Sequence, residues 1–415
     1  MAARRARYLL AVAGGALSHV RVLDLSRVLA GPWASQVLAD LGAEVIKVER
    51  PGTGDDTRAW GPPFLRGAGG AQTSESAYFV STNRGKKSIT VDLSRPEGQA
   101  IVRRLAERAD VLVENYRIGT LERWGLGYEP LAAANPRLVY CSISGFGRSG
   151  PYAGRAGYDF LVQAMGGLMS VTGEPDGPPL KVGVAIADLL TGMYAATAVL
   201  AALAHRERSG RGQRVELALL DVQVAMLANQ AESFLVTGEP PARVGNAHPS
   251  IVPYQAFATR DGHVVVAVGN DAQFARLCEV VGRPELAGDA RFATNAARVE
   301  SRDALVAALA PLLAARRGAD WVAALEAAGV PCGPINDLAQ VFADPQVRHR
   351  GLRLEAAHPV AGTVPMVASP IRLSETPVQS DVAPPTLGQH TREVLTELLG
   401  MGEAELEALR ARGVI

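Results

Sequence analysis

The sequence predicts an α/β fold in which a large domain with a parallel sheet carries a smaller inserted α/β domain. Short apolar segments alternate with amphipathic segments of helical period through the first half of the chain, and the sequence changes character near Thr237. Such alternation is typical of a parallel sheet whose right-handed crossovers place helices on both faces. We therefore predict a large domain at residues 20–237 and 329–415, and a small domain at residues 238–328.

The predicted strands of the large domain are short and apolar. They lie at residues 20–25, 44–48, 88–91, 111–115, 138–143 and 214–220, with helices at residues 33–41, 96–108 and 391–399. The order is Rossmann-like, but the first strand is followed by Leu29, Ala30, Gly31 and Pro32 instead of GxGxxG. Because a dinucleotide needs those glycines at its pyrophosphate, the pattern argues against an NAD enzyme.

Residues 183–213 form the most informative stretch of the large domain. A lone acid, Asp188, precedes an apolar run of 16 residues (189–204), and charged residues and Gly210 follow. The run is typical of a buried helix and is too short for a membrane span. Asp188 falls at or near the N-cap, where it would accept backbone N–H bonds and stay ionised. Two interpretations remain open for Asp188, a helix cap alone or a functional carboxylate.

The small domain is predicted from a second set of elements. Residues 254–268 contain a hairpin with Asp261 and Gly262 at its turn, and helices follow at residues 272–281 and 302–315. Because the chain crosses twice between the halves, we expect the active cleft at their junction.

Composition excludes several classes of protein. The 42 basic and 42 acidic residues leave a formal net charge of +0, so no overall positive field attracts nucleic acid or an anionic membrane. The three cysteines, Cys141, Cys278 and Cys332, have no CxxC spacing, which indicates a reducing compartment and argues against disulfides or a structural zinc. The seven histidines show no HExxH spacing, and no GxSxG or Walker motif occurs.

The first residues differ from the rest of the chain. Residues 1–19 contain three arginines and no acid, and they can form an amphipathic helix. This pattern is typical of a mitochondrial presequence, so we expect the mitochondrial matrix as the location. An unstructured basic tail is the alternative.

Basic residues are expected just beyond the ends of several predicted strands. They are Lys47, Arg50, Arg84, Lys86, Lys87, Arg117 and Arg123. Each of them alone could be a solvated surface charge. Because loops after parallel strands meet at one edge of the sheet, three basic loops together indicate a ligand with several phosphates, such as a nucleotide or coenzyme A.

Seven ordered segments together resemble family III CoA-transferases, the CaiB/BaiF family. They are VLDLSRVLAGPWASQVLADLGAEVIKVERPGTGDDTR, NRGKKSITVDL, VLVENYRIG, NPRLVYCSISGFGRSGPY, RAGYDF, ADLLTGMYAA and SGRGQRVELALLD. The resemblance runs from about residue 20 to the last helix. It implies a Rossmann-like large domain in a homodimer of interlocked subunits, and it implies that Asp188, in ADLLTG, is the nucleophile.

The same resemblance implies the contacts with coenzyme A. These are Leu29 and Ala30 in the first loop, Arg50 near the adenosine phosphates, Thr82 and Asn83 beside the nucleotide, Asn115, Tyr116 and Arg117 in the VENF-like segment, Arg123 at a phosphate, and Tyr158 beside the thioester. The implied substrates are succinyl-CoA and a dicarboxylate such as glutarate or 3-hydroxy-3-methylglutarate, with no permanently bound cofactor. Backbone N–H groups at the helix start after Asp188, or in the glycine loop, are candidate oxyanion donors.

The residue at position 158 bears on which reaction this chain performs. The related racemases carry a histidine where this chain has Tyr158, and a tyrosine is poorly suited to take a proton at neutral pH. The pattern therefore favours transfer over racemisation, with an acyl-CoA racemase or epimerase as the alternative. A non-catalytic CoA-binding protein is the second alternative.

Arg84, Arg155 and His248 are candidates for binding a distal carboxylate of the substrate. The family's glycine loop is here GNAHPS, with only Gly245, so lid behaviour does not carry over.

Overall fold

The computed structural model describes residues 15–67 and 69–415, so most of the predicted presequence lies outside the described residues. These residues form two compact units. The large unit takes in the chain up to Gly166, then Val182–Ala228 and Pro345–Ile415, and the small unit takes in Gly167–Lys181 and Asn229–Asp344. The predicted domain boundaries at 237/238 and 328/329 differ from these limits. The helices Asn229–Thr237 and Leu338–Ala343 both belong to the small unit. The change in sequence composition near residue 237 does not indicate that either helix is part of it.

A six-stranded sheet forms the centre of the large unit. Its strands are β1 (Arg21–Asp24), β2 (Glu44–Glu49), β3 (Lys86–Thr90), β4 (Val111–Glu114), β5 (Val139–Ser144) and β6 (Arg214–Ala218). The order is β3-β2-β1-β4-β5-β6, and every pairing is parallel. This is the strand order of a doubly wound Rossmann sheet. Successive strands are added on one side of β1 up to β3, and the chain then returns to add β4 on its other side. The predicted parallel sheet is confirmed.

Two apolar cores cover the two faces of this sheet. Successive side chains of β1 point to opposite faces of the sheet, so Leu23 belongs to the first core and Val22 to the second. The first core contains the C-terminal helices Thr391–Leu399 and Glu403–Ala411, and the second contains the helices Ala30–Asp40 and Ile186–Ser209. The central strands β1, β4 and β5 are almost wholly buried and read as apolar runs in the sequence, whereas the edge strand β6 is partly exposed.

The remaining elements of the large unit are short. Its other helices are a 3-10 turn at Asp56–Ala59 and α-helices at Ala77–Val80, Pro96–Ala106, Thr120–Arg123, Tyr128–Ala134, Asp159–Met165, Leu219–Met226 and Pro345–His349. Two antiparallel hairpins complete it, Phe64–Arg66 with Gln72–Ser76 and Arg353–His358 with Gly362–Val367.

The small unit has its own sheet and core. Its sheet contains Tyr254–Thr259, Gly262–Ala267 and Cys332–Pro334, in antiparallel pairs. The predicted hairpin is confirmed, but its two-residue turn is Arg260 and Asp261, one residue earlier than the predicted Asp261 and Gly262. Its helices are Leu168–Val171, Asn229–Thr237, Asp271–Val280, Glu285–Gly288, Asn295–Glu300, Arg302–Ala314, Gly318–Ala327 and Leu338–Ala343.

The helix that carries Asp188, Ile186–Ser209, is longer than the apolar run predicted. Its 24 residues are long and apolar enough to cross a membrane by length and composition, and 44% of its most apolar window is buried inside the protein. It packs against the helix Ala30–Asp40, where a Cβ on Gly192 would lie 2.7 Å from the Ala30 carbonyl oxygen. Glycine at this position therefore allows the two helices to approach closely, as core helices of a globular domain do.

Candidate functional site

A cavity of about 230 Å³ lies where the loops after β1, β4 and β5 meet the start of the Asp188 helix. We call it the nucleophile cavity, after the role that the family resemblance implies for Asp188. Of the residues predicted to form the site, it is lined by Leu29, Ala30, Asn115, Tyr116, Arg117, Tyr158 and Asp188. All of its lining residues belong to the large unit. The position fits the general rule that ligands of doubly wound sheets bind outside the carboxyl ends of the strands, where the strand order reverses.

Asp24, at the end of β1, anchors the loop that leads into the cavity. Its buried carboxylate accepts hydrogen bonds from the hydroxyls of Ser26 and Ser35, and Lys86 Nζ lies 3.1 Å away. Burial opposes ionisation of Asp24, but Lys86, Lys47 and these hydroxyls outweigh it and lower the pKa to about 2. The loop therefore begins on a fixed negative charge inside the protein.

The same loop is held from β4 by Asn115. Its Nδ2 donates to the Arg27 carbonyl at 2.7 Å, and its Oδ1 accepts from the Arg27 N–H at 2.8 Å. The next residue, Val28, has φ of 69°, a strained conformation for a β-branched side chain. Strain of this kind persists where surrounding bonds impose it, and it is concentrated at functional sites. No feature of the sequence identifies Val28.

Asp188 lies in the first turn of its helix and does not cap it. The N-cap residue is Ala185, and within residues 15–67 and 69–415 no donor hydrogen-bonds to the Asp188 side chain. Burial and the neighbouring Asp159 charge raise the pKa of Asp188 to about 7. The expectation that capping keeps this carboxylate ionised is therefore wrong. Near neutral pH it is a basic carboxylate, divided between its two protonation states.

The hydrogen bonds at this helix start go to Asp159, which the sequence analysis missed. Asp159 Oδ1 accepts from the N–H of Ala187 at 2.8 Å and from that of Asp188 at 3.4 Å. The following N–H, that of Leu189, donates to the carbonyl of Ala185. These N–H groups are thus already bonded, which removes them as candidate oxyanion donors.

Two side chains from the segment before Asp159 complete the cavity wall. Tyr158 is 66% exposed and immediately precedes the helix Asp159–Met165. The Arg155 guanidinium lies over the Tyr152 ring, 4.7 Å from its centroid, and over Phe146 at 5.5 Å. Two glycines allow this segment to pack closely against the loop after β5. A Cβ on Gly157 would lie 2.4 Å from the Gly145 Cα.

A second cavity, of about 240 Å³, adjoins the first. Arg27 and Tyr116 line both cavities, and the Arg27 guanidinium lies 5.5 Å from the centre of the Tyr116 ring. Arg50, predicted near the adenosine phosphates, lines this second cavity. The two cavities together can accept an elongated ligand.

Several predicted site residues lie elsewhere. Thr82 and Asn83 are fully buried, and Asn83 Oδ1 accepts from Lys86 Nζ at 2.9 Å, so they support the fold below the loop. Arg123 is exposed, donates to Thr120 Oγ1 at 3.3 Å and lines neither cavity.

Most of the basic residues expected to bind phosphates are not available to a ligand. Lys47 is fully buried and pairs with Asp55 at 2.8 Å. Arg84, Lys86 and Lys87 come before or at the start of β3, not after its end, and each is paired with a carboxylate. Of the seven predicted basic residues, Arg50 and Arg117 are both exposed and on a cavity wall.

His248 belongs to the small unit. Its Nδ1 accepts from the Ser250 N–H, and its ring lies against Tyr254.

Comparison with known proteins identifies the family. Residues 17–391 match CoA-transferase family III. The chain is 52% identical over 382 residues to a succinate–glutarate CoA-transferase of Agrobacterium fabrum, covering 92% of this chain and 95% of the relative. It is 48% identical over 399 residues to the succinyl-CoA:glutarate CoA-transferase of Mus musculus, covering 96% and 90%. The crystal structure of a CaiB/BaiF family protein from Brucella suis superposes with a TM-score of 0.83 at 49% identity, covering 93% of this chain and all of that one. The chain therefore belongs to CoA-transferase family III, and it is a CoA-transferase.

Proposed function

We propose that this protein transfers coenzyme A from succinyl-CoA to a dicarboxylate, with Asp188 as the nucleophile. The observation that carries the proposal is one basic carboxylate, without a hydrogen-bond donor among the described side chains, at the wall of the nucleophile cavity. The names of the relatives from Agrobacterium fabrum and Mus musculus support glutarate as the acceptor. The motifs GDDTRAWGPPF, AHPSIVPYQAF and GVPCGPIND also resemble succinate–hydroxymethylglutarate CoA-transferase, which adds 3-hydroxy-3-methylglutarate as a second acceptor.

The two adjoining cavities support the binding mode. Coenzyme A is an elongated molecule with phosphates at one end and its thiol at the other. Arg50 and Arg27 are cations on the wall of the second cavity, and we assign the phosphate end to it. The pantetheine arm then passes Tyr116 into the nucleophile cavity, where Leu29, Ala30 and Tyr158 surround the thioester. Tyr116 and Arg27 form the common wall of both parts.

The reaction proceeds through covalent intermediates on Asp188. A carboxylate oxygen attacks the thioester carbon, a C–O bond forms and the C–S bond breaks, so that the CoA thiolate leaves with its electron pair. The thiolate then attacks the aspartyl carbon of the mixed anhydride, which releases succinate and gives an aspartyl-CoA thioester. The acceptor carboxylate attacks that carbon and displaces the thiolate, which finally attacks the acceptor's acyl carbon. Acyl-CoA forms, Asp188 is regenerated, and no net proton transfer is needed.

The basicity of Asp188 matters for this sequence. Carboxylates are weak nucleophiles, and a more basic one attacks a thioester faster. At a pKa of about 7 the side chain is half ionised near neutral pH while remaining more nucleophilic than an ordinary exposed aspartate. Positioning of the thioester in the cavity supplies the remaining acceleration.

The test is to trap the intermediate. After incubation with succinyl-CoA alone, peptide mass spectrometry should find CoA attached through Asp188, and Asp188→Asn should lose activity by roughly 10³-fold or more. An Asp188→Asn variant that keeps full activity would overturn the mechanism.

Isotope exchange distinguishes racemase activity from transferase activity. Exchange of an α-proton needs a general base, and Tyr158 occupies the place of the racemase histidine. The transferase therefore predicts exchange of labelled succinate into succinyl-CoA without deuterium uptake at the α-carbon in heavy water. A non-catalytic CoA-binding protein predicts neither exchange.

We also propose a homodimer with interlocked subunits. Each unit exposes large apolar side chains, which a second copy would cover: Phe160 (59%) and Tyr194 (48%) in the large unit, and Leu235 (73%) and Val236 (76%) in the small unit. Light scattering coupled to size exclusion should give twice the chain mass of 43.6 kDa. A monomer at micromolar concentration contradicts it.

The mitochondrial matrix location stays a prediction. Its basis is the basic, acid-free segment of residues 1–19, and relatives occur both in a bacterium and in a mammal. Fusing residues 1–19 to a fluorescent reporter tests it, since a reporter that stays outside mitochondria contradicts a presequence.

A further inference from the structure

Next to Asp188 lies a second acid, Asp159, that the mechanism above does not use. Asp159 Oδ1 accepts the N–H groups of Ala187 and Asp188, at 2.8 and 3.4 Å. Its other oxygen, Oδ2, accepts from Gln163 Nε2 at 2.6 Å. One carboxylate thus binds the main chain of the proposed nucleophile and is itself fixed by the helix that it begins.

We propose that Asp159 is a positioning residue that fixes the main chain of Asp188 and, through its negative charge, keeps the nucleophile basic. This inference rests on the proposed role of Asp188. Asp159 does not touch the thioester carbon in the scheme. It acts through Asp188, and its two effects come from different properties, one from its acceptor oxygens and the other from its charge.

The positioning effect follows from the hydrogen bonds. The first N–H groups of a helix have no partner within the helix and need an acceptor from outside. Because Ala185 supplies no side-chain cap, Asp159 takes this role from a position 29 residues earlier in the chain. The N–H of Asp188 is one of its donors, so a shift of Asp159 moves the nucleophile directly.

The electrostatic effect follows from the charges around Asp188. Burial raises its pKa first, and Asp159 is the charge that raises it further. The Tyr78 phenol, on the helix Ala77–Val80, is also influenced by both carboxyls, and burial together with their charges raises its pKa, so it stays neutral. The other charged groups on the cavity wall are Arg117, Arg155 and the pair of Arg27 with Asp56, whose nitrogen and oxygen are 2.9 Å apart.

The experiment separates the two effects by comparing Asp159→Asn with Asp159→Ala. Asparagine keeps an oxygen acceptor for the Ala187 N–H and removes the charge. We expect the acid limb of the kcat/KM profile for succinyl-CoA to move down by about one pH unit. We also expect kcat at high pH to fall about threefold to tenfold, because the nucleophile is less basic. Alanine removes the acceptor as well, and kcat should fall about 10²-fold at every pH.

A matched control shows that the shift is local. Asp221→Asn makes the same chemical change at an exposed position on the helix Leu219–Met226, and it should leave the midpoint of the profile where it is in the parent protein.

Two outcomes would overturn the inference. One is an Asp159→Asn midpoint equal to that of the parent protein, and the other is an Asp159→Ala variant with parental kcat. Trapping CoA on Asp188 in the parent protein distinguishes this failure from failure of the proposed function. If the adduct forms on Asp188 and the midpoint does not move, only the role of Asp159 is wrong. If the adduct forms on another residue, the nucleophile itself is wrong.

Discussion

Asn115 holds the main chain of Arg27 on both sides, donating to its carbonyl at 2.7 Å and accepting from its N–H at 2.8 Å. A side chain predicted to contact coenzyme A therefore also builds the loop that lines the nucleophile cavity. The Arg27 guanidinium is fixed by Asp56 at 2.9 Å, and the N–H of the strained Val28 lies 3.3 Å from both oxygens of Asp55. These bonds fix the main chain at Arg27 and Val28.

This relationship predicts the effect of Asn115→Ala. Loss of both hydrogen bonds frees the loop, so we expect KM for succinyl-CoA to rise about tenfold, while the dicarboxylate KM changes less. Asn115→Asp keeps the acceptor for the Arg27 N–H and should have a smaller effect than alanine. Steady-state kinetics with each substrate varied in turn measure the change, and equal succinyl-CoA KM values for the parent and alanine proteins would contradict it.

Activity should depend on pH through Asp188. Burial and Asp159 raise its pKa to about 7, and in the proposed mechanism only the ionised form attacks the thioester. We expect kcat/KM for succinyl-CoA to be level above pH 8 and to fall about tenfold per pH unit below pH 6. A profile that stays level down to pH 5 would show that a group with an ordinary aspartate pKa is the nucleophile.

Stability should depend on pH through the same group. Between the unfolded pKa near 4 and the folded pKa of about 7, the folded protein binds more protons than the unfolded chain, so stability falls as pH rises through this window. Asp188→Asn removes this loss. We expect its Tm to exceed that of the parent protein by a few degrees at pH 8, with the difference shrinking toward pH 4.5. A difference that does not change with pH contradicts the raised pKa.

The contact between Gly145 and Gly157 predicts a strong effect of one added methyl group. A Cβ on Gly157 would lie 2.4 Å from the Gly145 Cα, and backbone cannot move aside as a side-chain tip does. Gly157→Ala should cost about 1–3 kcal/mol and lower kcat by displacing Tyr158 and Asp159. Gly154→Ala is the control, since nothing lies within 4 Å of its Cβ. Similar melting temperatures and kcat values for both variants would rule out the close contact.

The sheet could be predicted from the sequence because its central strands are buried on both faces. Their apolar runs stand out at residues such as 111–115, and the loop-helix segments between them leave a parallel arrangement as the simple solution. The domain limits were harder, since the helices Asn229–Thr237 and Leu338–Ala343 carry no signal of the unit to which they belong.

Within the site, the sequence identified Asp188 and missed what controls it. Asp159 is 29 residues away, and a hydrogen bond across that distance leaves no local pattern. The basic residues show that neighbours in sequence can also have different roles. Arg50 and Lys47 are three residues apart and both line the second cavity, yet Arg50 is exposed and Lys47 is fully buried against Asp55. Composition and spacing alone do not separate a binding cation from a buried ion pair.

Arg84 provides the sharpest test of that distinction, because the sequence offers it as a partner for a distal substrate carboxylate. It is only 6% exposed. Its Nε and Nη2 donate to the two oxygens of Asp40 at 2.8 and 2.5 Å, and Nη1 donates to the Val367 carbonyl at 2.9 Å. Removing one partner of such a pair leaves a buried charge, so Arg84→Met should destabilise the protein by about 3–5 kcal/mol. The glutarate KM of the folded fraction should stay at the parental value. The double variant Arg84→Met with Asp40→Leu removes both charges and should recover most of the stability in urea unfolding. If Arg84→Met instead keeps parental stability and raises the glutarate KM, Arg84 binds substrate and its assignment to the fold is wrong.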